Sequence, residues 1–354
     1  MSENEGEIDF MPLSSRNARS RYLTRLCDSA SKLSLRTYDM LSSDIISEGL
    51  IKIALLYSSR KAMFISGVLG LAEAMIDIHT HIGVVKSWSR YLFGRVVVTL
   101  EDLLGYMDAV GISAAALLPL PGPIRAGNRI ASTERVLRAA ERCPGRVVPF
   151  CAVDPRAPNA EDLVERYVRR GCRGFGEYKV EMRVDHPLSV RLYKLCAELA
   201  IPVLIHMDSK YNPDVRGFIR VLEEVPDATF IMHGPGWWKH ISAVVEEGVE
   251  YPSGRVVPGG MVERIMSEHE NVYADISAFS GLNALRRDPE YARRFLERFS
   301  DRVLYGTDFP CVGEAGNQYG PNREHLDLLL GLGLSKQALE RILYRNAAEL
   351  LGVE

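Results

Sequence analysis

The chain has 354 residues, 47% of them apolar and 25% charged, with a formal net charge of -3. That composition belongs to a globular protein able to build a sizeable core, as one large domain or two modest ones. The balanced charge, and the lack of a dense Lys/Arg stripe interleaved with aromatics, argue against nucleic acid as a partner.

The first ten residues carry Glu3, Glu5, Glu7 and Asp9, the opposite of a secretory leader. The cysteines, Cys27, Cys143, Cys151, Cys172, Cys196 and Cys311, are scattered without C-x-x-C pairs, so reduced thiols and a cytoplasmic location are expected. Residues 1–74 are polar and then helical in pattern, with Ser42 or Ser43 placed to cap a helix before Asp44-Ile45-Ile46. They are expected to form a mainly helical or partly disordered N-terminal extension. Either it lies upstream of a true start at Met75, or it is a helical cap or oligomerisation arm. The stretch Met63 to Ile76 is interrupted by Ser66, Gly67, Gly70 and Glu73, and falls short of the roughly 20 apolar residues of a membrane helix. No membrane partner is expected.

From residue 75 to 354 short apolar runs alternate with amphipathic segments. Eight strands are predicted, at Ile76-His81, Ile112-Leu118, Val147-Val153, Cys172-Tyr178, Ile201-His206, Thr229-His233, Val272-Ser277 and Arg302-Asp308. Helix patterns lie between them, and Arg323-Leu332 and Ser335-Leu350 close the chain. This order predicts a (β/α)8 TIM barrel in preference to an open doubly wound sheet, since no G-x-G-x-x-G follows the first strand.

The first strand contains Asp77-Ile78-His79-Thr80-His81. Strand residues two apart share a face, so both imidazoles are expected to point the same way, an arrangement suited to a divalent metal. His206 ends the fifth strand, His233 the sixth and Asp308 the eighth. In a barrel all of these meet at the C-terminal mouth, where active sites lie. His79, His81, His206 and Asp308 are therefore the candidate ligands of one divalent metal, zinc being favoured, and His233 and Asp308 the candidate catalytic groups. Glu177 and Lys179, on one face of the fourth strand, offer either a second metal position or an internal ion pair. Asp77 is expected behind the ligand histidines.

Taken with Gly306-Thr307-Asp308-Phe309-Pro310 and the terminal Asn346-Ala347-Ala348-Glu349-Leu350-Leu351-Gly352, these motifs resemble the amidohydrolase superfamily over about residues 75 to 352. The resemblance is to its amidohydrolase-related branch, which includes aminocarboxymuconate-semialdehyde decarboxylase and related metal-dependent hydrolases. It implies a TIM barrel, a divalent metal on His79, His81, His206 and Asp308, and a catalytic role for His233. In binuclear relatives a strand-four carboxylate or modified lysine bridges a second metal, the role it would give Glu177 or Lys179.

The expected activity is metal-dependent hydrolysis of an amide, ester or lactone in a small anionic substrate. Non-oxidative decarboxylation of an unsaturated or aromatic carboxylate is the alternative, and a non-catalytic barrel a third. Lys86, Trp88, Arg90 and Lys210 are candidate substrate contacts, and Trp237 to Gly260 a candidate lid. Homodimer formation is left open.

Overall fold

The computed structural model describes residues 10–12, 75–86, 95–122, 129–310 and 323–353. In chain order its strands are β1 (Phe10–Pro12), β2 (Ile76–Thr80), β3 (Gly83–Lys86), β4 (Arg95–Val98), β5 (Ala114–Leu117), β6 (Arg129–Ile130) and β7 (Val147–Cys151). They continue with β8 (Gly174–Tyr178), β9 (Val203–His206), β10 (Phe230–His233), β11 (Val272–Asp275) and β12 (Val303–Leu304). Eight of them pair in parallel in the order β12-β11-β10-β9-β8-β7-β5-β2. The two ends of that sheet meet through Ile78 N–H to the Tyr305 carbonyl at 3.0 Å and Asp308 N–H to the His79 carbonyl at 2.8 Å. Helices cross between the strands, so the fold is a (β/α)8 TIM barrel.

Each predicted strand contains one of the observed barrel strands. The first crossover helix, Leu100–Val110, is not singled out by the sequence pattern. Its start is a capping box: Asp102 N–H donates to Thr99 Oγ1 at 3.1 Å, and Thr99 N–H returns to Asp102 Oδ2 at 2.9 Å. Ahead of it the chain makes a second small sheet, β1-β4-β3-β6, in which β3 and β4 pair antiparallel through Val84 with Val97 and Val85 with Val96. The sequence reads as a loop there, but β-branched runs on both sides favour pairing. Phe10–Pro12, the only described part of residues 1–74, joins this sheet beside β4. The expected helical extension and the alternative start at Met75 otherwise lie outside the described residues.

The barrel interior is filled by Ile76, Ile78, Phe150, Leu204, Ile231 and Leu304, and floored by Ala347 and Leu351 of the helix Asn346–Leu351. Asn346 fixes that helix by donating to the Ser300 and Val303 carbonyls. On β9 and β10 the alternation is regular: Leu204 and Ile231 face inward, and His206 and His233 follow two residues later, paired with each other.

Two strands break the rule. With Ile76 and Ile78 inside, strict alternation would turn His79 outward, but the register of β2 on β5 shifts between Asp77 and Thr80. The register of β8 on β9 shifts between Phe175 and Tyr178, at Glu177. Both irregularities return a polar side chain to the mouth of the barrel. Among the described residues no helix is long and apolar enough to cross a membrane.

Candidate metal centre

His79, His81, Glu177, His206, His233 and Asp275 are all buried at the C-terminal ends of the barrel strands. Nε2 of His79 and Nε2 of His81 lie 3.1 Å apart. His79 donates from Nδ1 to Asp275 Oδ2 at 2.7 Å, and His81 from Nδ1 to the Leu118 carbonyl at 2.8 Å. Each ring has spent its neutral-state proton on an acceptor that cannot return one, so two lone pairs face each other. His206 lies between two carboxylates, with Nε2 2.9 Å from Asp208 Oδ2 and Nδ1 2.7 Å from Glu177 Oε1, so it bridges both when protonated and sets a lone pair against one of them when neutral. Such contacts call for positive charge between the acceptors, which a proton or a metal ion can supply.

Asp308 Oδ1 completes the first cluster, 3.6 Å from His79 Nε2 and 3.4 Å from His81 Nε2. Glu177 stands between two nitrogen sets. Its Oε2 is 3.4 Å from His81 Nε2, and its Oε1 is on His206. Burial alone would push His79 down in pKa, but Asp308, Asp275 and Glu177 outweigh it and hold the ring well above its usual value. His81 is raised by the same contest between burial and the Asp308 and Glu177 carboxylates. On the acidic side, burial pushes Glu177 and Asp308 up, yet Lys179 and His206 hold Glu177 well below the usual range, and His79 and His81 lower Asp308. A pocket that draws protons onto histidine and off carboxylate has room for positive charge. Imidazole and carboxylate donors together suit a divalent metal.

The predicted ligands converge with one adjustment. His79 and His81 group with Glu177, and His79 also groups with His233 and Asp308, whereas His206 groups with Glu177 and His233. No group among the described residues contains all four expected ligands, and Glu177 makes the link to His206. Lys179 Nζ lies 3.4 Å from His206 Nδ1 and 3.8 Å from Glu177 Oε1, an ammonium beside the second nitrogen set. Asp77 reaches His79 through the backbone: Oδ1 accepts from His79 N–H and Thr307 N–H, and Oδ2 from the Thr307 hydroxyl. Burial raises Asp77 to about 7.

Three partners of the histidines, Asp208, Asp275 and Ser277, are not among the candidate site residues read from the sequence, although the strand carrying Asp275 and Ser277 is one of the motifs of the family resemblance. An acid placed at or just beyond a strand end is a visible signal for the first two; no such signal marks Ser277. His233 Nδ1 lies 2.9 Å from Ser277 Oγ and 3.2 Å from Asp275 Oδ2. Burial, followed by the neighbouring His79, lowers the His233 pKa, so that ring is neutral near pH 7.

Among the candidate substrate contacts, Lys210 is exposed, 3.4 Å from Glu181 and over the Tyr211 ring at 5.2 Å, a ring that packs edge-on against His206. The Lys86 side chain, Trp88 and Arg90 lie outside the described residues. Trp237 and Trp238 are not part of a lid: both are buried, and Trp238 Nε1 donates to the Asp275 carbonyl at 2.9 Å. The later part of that segment touches two neighbouring segments, Glu250 accepting from the Ser209 N–H and Tyr251 packing against Phe279.

A family model described as amidohydrolase matches residues 76–353. Among solved structures, a candidate 2-pyrone-4,6-dicarboxylic acid hydrolase from Pseudomonas putida is similar over 80% of this chain and 99% of its own, at 19% identity and a TM-score of 0.56. A 2,6-dihydroxybenzoate decarboxylase from Rhizobium is similar over 79% and 99%, at 16% identity and a TM-score of 0.51. A 5-carboxyvanillate decarboxylase from Sphingomonas paucimobilis is similar over 80% and 100%, at 13% identity and a TM-score of 0.52. At these identities the likeness establishes the fold. No curated protein matches the chain significantly.

Proposed function

Because the chain belongs to the amidohydrolase family, we propose that it is a metal-dependent hydrolase acting on an amide, ester or lactone bond of a small anionic substrate. The observation that carries this reading is the convergence of histidine and carboxylate groups in a buried mouth, with His79 Nε2 only 3.1 Å from His81 Nε2 and Glu177 reaching both His81 and His206. His79, His81, His206 and Asp308 would hold the ion, with Glu177 standing between the two nitrogen sets. Zinc suits so histidine-rich a donor set. A divalent ion supplies polarisation of a substrate oxygen and a lower pKa for water.

The rest is done by the chain's own groups. Asp308 is ionised, and with 21% of its side chain exposed it alone among these carboxylates is open enough to meet a substrate. It accepts the proton released as water attacks the carbonyl and returns it to the leaving group. Neutral His233 orients that water through the ring nitrogen opposite Ser277. Lys179 offers its ammonium to an anionic substituent and already neutralises charge beside Glu177, which favours one ion over two.

Decarboxylation is the second reading, favoured by Lys179 and by the two decarboxylases that share the fold. There the carbon–carboxylate bond breaks, its electron pair stays on carbon, and a proton from Asp308 or His233 takes the place of carbon dioxide. Metal content per chain and product analysis on lactone dicarboxylates and hydroxybenzoates test both readings. Hydrolysis of the lactone without carbon dioxide release is the expected result. Carbon dioxide release selects the second reading. Protein that binds no metal and turns over neither substrate class returns the non-catalytic barrel.

A further inference from the structure

Asp275 Oδ2 and Ser277 Oγ lie side by side between two histidine rings, Ser277 Oγ standing 3.2 Å from His79 Nδ1. Asp275 Oδ2 lies 2.7 Å from His79 Nδ1, 2.8 Å from Ser277 Oγ and 3.2 Å from His233 Nδ1. Its other oxygen accepts from the Ser277 backbone N–H at 2.8 Å, which fixes the carboxylate in place. Gly306 on the neighbouring strand makes the arrangement possible. A Cβ there would stand 2.6 Å from Asp275 Oδ1 and 3.0 Å from Ser277 Cβ.

The proton count then decides the tautomer of His233. A carboxylate only accepts, so the single hydroxyl proton of Ser277 goes to Asp275. Ser277 Oγ, 2.9 Å from His233 Nδ1, is left able only to accept, and the proton between them must belong to the ring. A second argument agrees, because an unprotonated Nδ1 would set its lone pair against the Asp275 carboxylate at 3.2 Å. All three side chains are at most 1% exposed, so bulk water offers no other partner.

We infer that Ser277 and Asp275 form a tautomer lock, holding the His233 proton on Nδ1 and leaving Nε2 as the acceptor available to the reaction. Both are positioning residues, and Asp275 fixes His79 through the same oxygen, so the ligand ring and the proton-handling ring share one anchor. The chemical use of the freed Nε2 rests on the proposed function; the tautomer itself does not.

The test is a two-bond proton–nitrogen correlation spectrum of zinc-loaded full-length protein labelled with 15N-histidine at neutral pH. His233→Gln identifies the signal, and thermal unfolding serves as a folding control. The wild type should show His233 protonated on Nδ1, and Ser277→Ala should shift its population toward the Nε2-protonated form with the melting temperature and metal content retained. Ser277→Cys, which keeps a weak donor and acceptor, should fall between. An Nε2-protonated ring in the wild type overturns the lock, as does an unchanged tautomer in folded Ser277→Ala. If Ser277→Ala does not fold, the wild-type spectrum and Ser277→Cys decide. A locked tautomer in a protein that neither hydrolyses nor decarboxylates its substrates removes the proposed function and leaves the lock standing.

Discussion

Strands β9 and β10 deliver His206 and His233 by plain alternation, while β2 and β8 deliver His79 and Glu177 only through a shift of register. The regular pair places an apolar residue below each histidine, and the irregular pair breaks that sequence where a polar side chain turns into the mouth. An inward side chain at the end of a regular strand is inherited from the core pattern. One at an irregularity is held there by neighbours, and should respond differently to substitution.

The largest effect is expected on the regular strands. His206→Ala removes a donor without touching the register, so elemental analysis should find metal binding severely weakened in a protein that still folds. Retention of a full equivalent of metal would show that His206 is not needed to hold the ion.

Next comes the backbone of β8. Gly176 has a φ of 144°, and an added Cβ would sit 2.6 Å from the Leu204 carbonyl oxygen. Gly176→Ala should lower stability by about 1–3 kcal/mol from backbone strain alone. It should also disturb metal binding by moving Glu177, and calorimetry with metal titration checks both. Glu177→Gln, which leaves the backbone alone, should weaken metal binding with little change in melting temperature. If it loses one ion of two, Glu177 bridges a pair of ions and the one-ion assignment is wrong.

Asp208→Asn should be milder, because Asp208 reaches the centre through His206 Nε2, while its other oxygen holds the backbone N–H groups of Lys210 and Tyr211. A loss of roughly 10- to 100-fold in metal affinity is expected, read by competition with a chelating dye.

The smallest effect belongs outside the barrel. Arg183 Nε donates to Asp185 Oδ1 at 3.0 Å, and Arg220 Nε to Asp185 Oδ2 at 2.9 Å. Burial pushes the Asp185 carboxyl up, but the two guanidinium groups outweigh it and hold it below the ordinary carboxylate value. This stabilisation is present above the unfolded-state pKa and is lost as pH falls through the folded one. Arg220→Ala should therefore reduce stability near neutral pH by no more than about 1 kcal/mol, with the difference from wild type vanishing in acid. Chemical denaturation across that range measures it, and a deficit that persists in acid would assign the Arg220 effect to packing.

Much of the centre is legible in the sequence. Apolar runs spaced by amphipathic segments predict the barrel, and polar residues ending those runs point to His79, His81, His206, His233 and Asp308. Such signals are local, because strand periodicity and strand ends are written in consecutive residues. The second small sheet is not legible, because its strands are short and one part of it, Phe10–Pro12, lies far from the rest in sequence. Trp238 reads as part of a lid because an aromatic after a glycine turn looks the same whether it covers a site or packs beneath one.

The chain's order and periodicity by themselves determined the barrel and the family of residues at its mouth, since alternation and strand ends follow from backbone geometry alone. Tertiary structure decided which of those residues come within reach of one another. The His79 contact with Asp275 spans 196 positions, and the Ser277 contact with His233 spans 44. The central place of Glu177 depends on a register shift that only the packing of β8 against β9 defines. No local pattern encodes contacts of that range, because they exist only once the barrel has closed.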